Sequence, residues 1–122
     1  MTDPNPMSLF GPVVDGHSLP RHPFDPDAPA ITANIPMMIG TTSTETTNLL
    51  GRGDPQLFSL NEAEMRLRLK TFLGVTDASK LDLLIATYRK ELPNASPSDI
   101  YFAVTSDQMV RIDAIWSLVT AK

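Results

Sequence analysis

The residue best suited to chemistry in this sequence is Glu45, a single carboxylate in a stretch of hydroxyl side chains. Six Thr and Ser residues surround it between positions 41 and 47. Just before them, an apolar run from Ile35 to Ile39 ends at Gly40. A run this short predicts a strand buried on both faces, with Pro36 near its start because proline has no N–H to donate. Open α/β sheets place their chemistry just beyond the carboxyl ends of strands, which favours a functional role for Glu45.

Glu45 also has an ordinary interpretation. A single Glu among threonines is commonly a solvated loop residue, or an acid in the first turn of a helix, where it complements the helix dipole. Composition and spacing alone favour that interpretation. The order of two longer motifs along the chain favours the catalytic one.

The two motifs are residues 10–20, FGPVVDGHSLP, and residues 35–45, IPMMIGTTSTE. In this order and at this separation they resemble the C-terminal third of the type-B carboxylesterases, the α/β-hydrolases that include para-nitrobenzyl esterases and cholinesterases. There the segments read roughly F-x-P-V-x-D-G-x-x-L-P and I-P-x-x-x-G-x-x-x-x-E. The helix that contains Tyr88 and the pair Ser106-Asp107 follow in the family's order, so the resemblance covers nearly all of the chain from Leu9 onward.

The resemblance implies that Glu45 is the acid of a Ser-Glu-His triad. Many relatives carry an acidic residue where this chain has Thr44 and a glycine where it has Thr46, which is a local departure from the pattern. The nucleophile motif G-x-S-x-G and a Gly-Gly oxyanion loop do not occur in the sequence. Both histidines, His17 and His22, precede Glu45, whereas the family's catalytic His follows the acid. Glu45 is therefore the one triad residue that the resemblance places in this chain.

The resemblance thus predicts a C-terminal-region fragment of a carboxylic-ester hydrolase that uses an acyl-enzyme route without a metal or organic cofactor. Its partners would be an ester substrate and the remainder of the esterase chain, and the segment alone would be inactive and would self-associate. The alternative is a non-catalytic helical module that binds a partner protein through an apolar face. That alternative leaves the two motifs unexplained.

Composition narrows the classes of protein further. The 122 residues have a net charge of −4 and no cysteine, and 42% of them are hydrophobic. The acidic balance argues against a nucleic-acid surface, which needs clustered Lys and Arg. The lack of cysteine excludes disulfides, thiolate nucleophiles and cysteine-based zinc sites. No apolar run reaches the length of a membrane span and no signal peptide is visible, so we expect a soluble, cytoplasmic protein.

Two other groups of polar residues are weaker candidates. His17 and His22 lie near Asp15, Asp25 and Asp27, but a proline-rich loop lacks the fixed geometry that a metal requires, so solvated side chains are expected. Asp107 and Arg111 stand four residues apart, the spacing of an ordinary surface ion pair on a helix. The family resemblance implies a structural role for Asp107 at a helix end.

The elements that would position Glu45 follow from periodicity and capping signals. We expect an α/β fold, a partial α/β-hydrolase with two short strands followed by three to four helices and dominated by the helices. The first strand, a short extended segment or edge strand, is expected over residues 9–15 and the second over residues 35–39. Residues 1–8 would be a flexible lead and residues 9–122 one segment of a catalytic domain, with a proline-rich loop over 17–34. The helices are expected to start after Asn61, near Asp77 and after Ser96, the first two ending at Gly74 and Pro93. The third is expected to run to Ala121, with a break near residues 105–106, neighbours on more than one side and Trp116 in the core. Its apolar stripe consists of Met109, Ile112, Trp116 and Val119, and is widened by Val110, Ile115 and Leu118.

Overall fold

The structure is a computed structural model that describes residues 13–22, 30 and 34–115. The chain divides into two units. One consists of Met1–Met37 with Ser117–Lys122, and the other of Met38–Trp116. The predicted flexible lead and Trp116 lie outside the described residues, as does much of the proline-rich loop.

In the first unit, the described residues include a tight turn at Asp15 and Gly16. The Oδ1 atom of Asp15 accepts hydrogen bonds from the backbone N–H groups of His17 and Leu19, each at 2.9 Å. Gly16 has φ = 75°, a left-handed conformation that glycine adopts without steric cost. An Asp-Gly pair is a typical turn sequence, so the residue types account for this turn. His17 and His22 are both exposed.

The predicted α/β fold is wrong, because the described part of the chain is helical and contains no strand. Residues 35–39, expected to be a buried strand, are non-helical and largely exposed, with Ile35 63% and Met38 97% accessible. The other strand was expected over residues 9–15. Its described residues, 13–15, are also exposed, and they do not form a strand. A strand requires a neighbour to pair its N–H and C=O groups, and two short strands do not form a stable sheet unaided. Apolar composition alone does not supply that neighbour.

The second unit is built from four α-helices and two irregular turns. In chain order these are α1 (Glu45–Leu49), a 3₁₀ turn (Pro55–Ser59), α2 (Glu62–Leu73), α3 (Ala78–Glu91), α4 (Pro97–Ser106) and a π turn (Asp107–Arg111). Residues 112–115 continue as helix. Among the described residues, no helix has both the length and the apolar character needed to cross a membrane.

Local capping chemistry determines where the three longer helices begin, as the sequence predicts. Asn61 and Glu64 form a reciprocal capping box at the start of α2, with hydrogen bonds of 2.9 and 3.0 Å. Ser96 and Asp99 form the same arrangement at the start of α4, where Pro97 occupies the first turn. Each box satisfies backbone N–H groups that have no partner inside the helix. Gly74, at φ = 63°, ends α2 in the left-handed conformation.

Helix α4 lies at the centre of the second unit, and α1, α2, α3 and the 3₁₀ turn all pack against it. Its buried residues point in several directions, which agrees with the prediction that this helix has neighbours on more than one side. The core consists of Leu57, Leu60, Met65, Leu69, Leu81, Ile85, Ile100, Tyr101, Phe102 and Val104. The hydroxyl of Ser98 also accepts a hydrogen bond from the N–H of Leu60 at 3.0 Å, which joins α4 to the start of α2.

Beyond Ser106 the helix changes character. The interruption expected near residues 105–106 is a π turn over Asp107–Arg111, in which the helix widens without ending. The apolar residues predicted to lie on a buried stripe here are largely accessible: Met109 is 40%, Ile112 51% and Ile115 55% exposed. The later members of that stripe lie outside the described residues.

Candidate functional site

Glu45 is the first residue of α1, a helix of five residues. Its Oε1 atom accepts a hydrogen bond from the backbone N–H of Thr42 at 2.8 Å. The side chain is partly accessible. This position is the one that the ordinary interpretation predicts, an acid in the first turn of a helix. The assignment of Glu45 as a triad acid stays a prediction.

Thr46, the residue that follows Glu45, is fully buried and joins α1 to α4. Its Oγ1 atom donates to the backbone carbonyl of Phe102 at 3.0 Å and lies 2.7 Å from the hydroxyl of Thr105 and 2.8 Å from that of Ser106. Its backbone N–H donates to Oγ of Ser106 at 3.0 Å. Buried polar groups are expensive unless they are hydrogen-bonded, so this set of hydroxyls specifies where α1 lies on α4.

A second connection reaches the same segment from the π turn. Arg111 donates from Nη2 to the backbone carbonyl of Ser43 at 3.3 Å. Its Nη1 atom lies 2.8 Å from Oδ1 of Asp107, an ion-pair contact that lacks the alignment of a hydrogen bond. The i,i+4 pair expected between Asp107 and Arg111 is confirmed.

Asp107 also joins α3 to the end of α4. The hydroxyl of Tyr88 donates to Oδ2 of Asp107 at 2.5 Å. Burial raises the pKa of the Tyr88 phenol well above its usual value of 10.0, and the hydrogen bond and negative charge of Asp107 raise it further. The phenol is therefore a neutral hydrogen-bond donor at ordinary pH. These contacts agree with the structural role that the family resemblance implies for Asp107.

A surface depression of about 500 Å³ adjoins Glu45. Residues of α1 and of the loop after it line the depression, and these include Asn48 and Arg52. The ring of Phe58 forms part of its wall and packs on Phe102 of α4, with the ring centroids 5.2 Å apart. Glu45 is itself one of the lining residues.

The histidines and acids of the proline-rich loop are only partly described. His17 and His22 belong to the first unit, and Asp25 and Asp27 lie outside the described residues. Within the described ranges, no group of three or more His, Asp or Glu residues could hold a metal ion.

Thr46 and Arg111 are the residues around Glu45 that sequence reasoning missed. Thr46 was one of several similar residues in a stretch predicted to be a loop, and nothing in its neighbours distinguishes it. A signal does exist further along the chain: Thr105 and Ser106 are adjacent hydroxyls inside an otherwise apolar helix, and hydroxyls in such a position need buried partners. The identity of those partners depends on a contact across about 60 residues of chain.

Comparison with known proteins adds no relative to this description. No protein-family model, no curated protein and no solved structure gives a significant match to the chain. The resemblance to type-B carboxylesterases therefore rests on the sequence motifs that end at Pro20 and Glu45.

Proposed function

We propose that this chain is a segment of a carboxylic-ester hydrolase and that Glu45 is the acid of its Ser-Glu-His triad. The observation that carries the proposal is the motif of residues 35–45, which ends on a partly accessible carboxylate with one oxygen held by a backbone N–H. The nucleophilic Ser and the His base would be supplied by chain beyond these 122 residues.

In this role Glu45 would accept a hydrogen bond from a ring N–H of the histidine. That bond fixes the imidazole in the tautomer that can take a proton from the nucleophile, and it stabilises the imidazolium that forms. The serine then attacks the ester carbonyl, the alcohol leaves, and water releases the acid from the acyl-enzyme. The bond from Thr42 N–H to Oε1 would keep one carboxylate oxygen occupied and leave Oε2 for the imidazole.

The proposed partners are an ester substrate and the remainder of the esterase chain, and no cofactor is required by this chemistry. Exposed apolar side chains at the end of the helical unit, Met109, Ile112 and Ile115, are available to pack against that remainder. In the absence of the remainder they favour self-association, which sedimentation over a range of concentrations would detect.

The purified 122-residue chain should not hydrolyse esters through a triad. Loss of the nucleophile or the base from such a unit lowers kcat by about a millionfold. Turnover of para-nitrophenyl acetate by the chain alone, abolished by a serine-directed inhibitor, would contradict the proposal.

The decisive experiment is complementation with the separately expressed remainder of a type-B carboxylesterase. Hydrolysis of para-nitrophenyl acetate would be measured after mixing with the wild-type chain, with Glu45→Gln and with the control Glu91→Gln, an exposed acid at the end of α3. We expect activity with the wild type and the control and a loss of activity with Glu45→Gln, because an amide does not stabilise the imidazolium. Equal activity with all three chains would show that Glu45 is not the triad acid.

The helical architecture of the described residues favours a second candidate, a non-catalytic module that binds a partner through its apolar surface. The two candidates differ in what the Glu45→Gln substitution should do. A module that binds through apolar contacts would keep its partner affinity in this variant and would restore no esterase activity on mixing.

A further inference from the structure

The backbone on both sides of Glu45 is attached to α4 and the π turn. On the C-terminal side, Thr46 bonds to Phe102, Thr105 and Ser106, and all four residues are buried. These bonds involve both the N–H and the side chain of Thr46, so they restrict the position and the orientation of the residue that follows Glu45.

On the N-terminal side, the attachment is the bond from Arg111 to the carbonyl of Ser43. Successive side chains of a regular α-helix point in directions that differ by about 100° around the helix axis. The direction in which Arg111 points therefore depends on the π turn that contains it. The wider turn over Asp107–Arg111 changes that phase and brings Arg111 to Ser43. The ion pair with Asp107 limits the freedom of the guanidinium at the same time.

We propose that Thr46 and Arg111 are positioning residues for Glu45, which they hold in place through the backbone on either side of it, at Thr46 and at Ser43. The inference rests on the proposed function of Glu45 as a triad acid. A carboxylate that orients an imidazole must stay within a fraction of an ångström of its working position, and a displacement of about 1 Å can lower the rate about 100-fold. The Glu45 side chain is partly exposed and sits on a helix of only five residues, so packing of the side chain itself does not provide this precision.

The bond between Thr42 N–H and Glu45 Oε1 offers a readout of this anchoring that does not require catalysis. When Glu45→Gln is the only substitution, it should shift the NMR resonance of the Thr42 amide proton, because a charged acceptor is replaced by a neutral one. We expect this shift to be largely lost when Glu45→Gln is made in a Thr46→Val or an Arg111→Met background. Thr46→Ser, which keeps the hydroxyl, should retain it.

Two control backgrounds match these substitutions. Thr87→Val removes an exposed hydroxyl that bonds only within α3, to the carbonyl of Leu83. Arg68→Met removes an arginine that is paired with Asp54 and has a similar accessibility to that of Arg111. Both should keep the full Thr42 shift. A full shift in the Thr46→Val and Arg111→Met backgrounds would overturn the inference, and if Thr46→Val does not fold, the exposed Arg111→Met decides alone.

Complementation then separates this inference from the proposed function. If both are correct, Thr46→Val and Arg111→Met lower kcat of the complemented esterase about 100-fold, leave KM for the ester unchanged, and Thr46→Ser restores kcat. If the Thr42 shift behaves as expected but Glu45→Gln keeps full activity, the anchoring is real and the triad assignment is wrong. If Glu45→Gln abolishes activity while Thr46→Val and Arg111→Met do not reduce it, the triad assignment stands and the positioning role is refuted.

Discussion

Replacement of Thr46 by valine tests whether buried hydrogen bonds, rather than shape, attach α1 to α4. Valine has nearly the same shape as threonine and is apolar, so the substitution removes the hydroxyl with little change in packing. In the wild type, Oγ1 of Thr46 is within hydrogen-bond distance of the Phe102 carbonyl and of the hydroxyls of Thr105 and Ser106.

The size of the effect follows from which groups lose their partners. The hydroxyl of Thr105 keeps an acceptor, the carbonyl of Tyr101 at 2.9 Å. The hydroxyl of Ser106 still accepts from the N–H of Thr46 at 3.0 Å but no longer has Oγ1 of Thr46 to donate to. One buried donor is left without an acceptor, which costs about 2 kcal/mol of unfolding free energy. In a chain of this size that corresponds to a decrease in Tm of about 8 °C.

Urea unfolding followed by far-UV circular dichroism measures this change, with an unchanged m value as the sign that the unfolding transition is otherwise the same. Thr46→Ser keeps the hydroxyl and loses one methyl group, so it should cost about 1 kcal/mol. Thr87→Val alters an exposed hydroxyl and should stay within about 0.5 kcal/mol of the wild type. A Thr46→Val variant as stable as the wild type, or more stable than Thr46→Ser, would show that the hydroxyl of Thr46 does not stabilise the contact between α1 and α4.

Three further predictions concern other parts of the helical unit. Tyr88→Phe leaves Asp107 without its donor and should cost about 1 to 2 kcal/mol at neutral pH. Because the folded state raises the pKa of Tyr88 above 10.0, the stability from its neutral phenol is fully present below that pH and is lost as the pH rises further. Urea unfolding at about pH 8 and about pH 11 should therefore show a smaller alkaline loss in Tyr88→Phe than in the wild type, and equal losses would contradict this. Gly51→Ala would place a Cβ atom close to the carbonyl oxygen of Thr47, so thermal unfolding should show a decrease of about 1 to 3 kcal/mol; an unchanged Tm would show that the loop relaxes freely. Asn61→Ala removes the cap of α2 and should cost about 1 kcal/mol, whereas the same urea assay would show no change if the cap were unimportant.

Sequence reasoning succeeded for the three longer helices because their signals are local. Asn61 and Ser96 each stand three residues before an acid that completes a capping box, and Gly74 provides the left-handed residue that ends α2. These interactions lie within one turn of chain, so residue types and spacing are sufficient to predict them. The turn at Gly16 was predictable for the same reason.

The predicted strands failed for a reason that is also physical. An apolar run of five residues shows that the segment could be buried, but a strand forms only when another strand satisfies its backbone groups. Residues 35–39 have no such neighbour in the described part of the chain. The helix α1 was missed because five residues with β-branched threonines carry a weak helical signal, and its stability comes from contacts with α4.

Residue types and spacing are enough to identify Glu45 as an isolated acid at the end of a motif and to predict where α2, α3 and α4 begin. The folded chain was needed to show that Glu45 starts a helix, and that Thr46 and Arg111 attach the backbone on either side of it to α4 and the π turn. The difference lies in how far apart along the chain the contacting residues are. Caps and turns join atoms a few residues apart, whereas these contacts beside Glu45 join residues separated by 60 and 68 positions and exist only once α4 has packed at the centre of the unit.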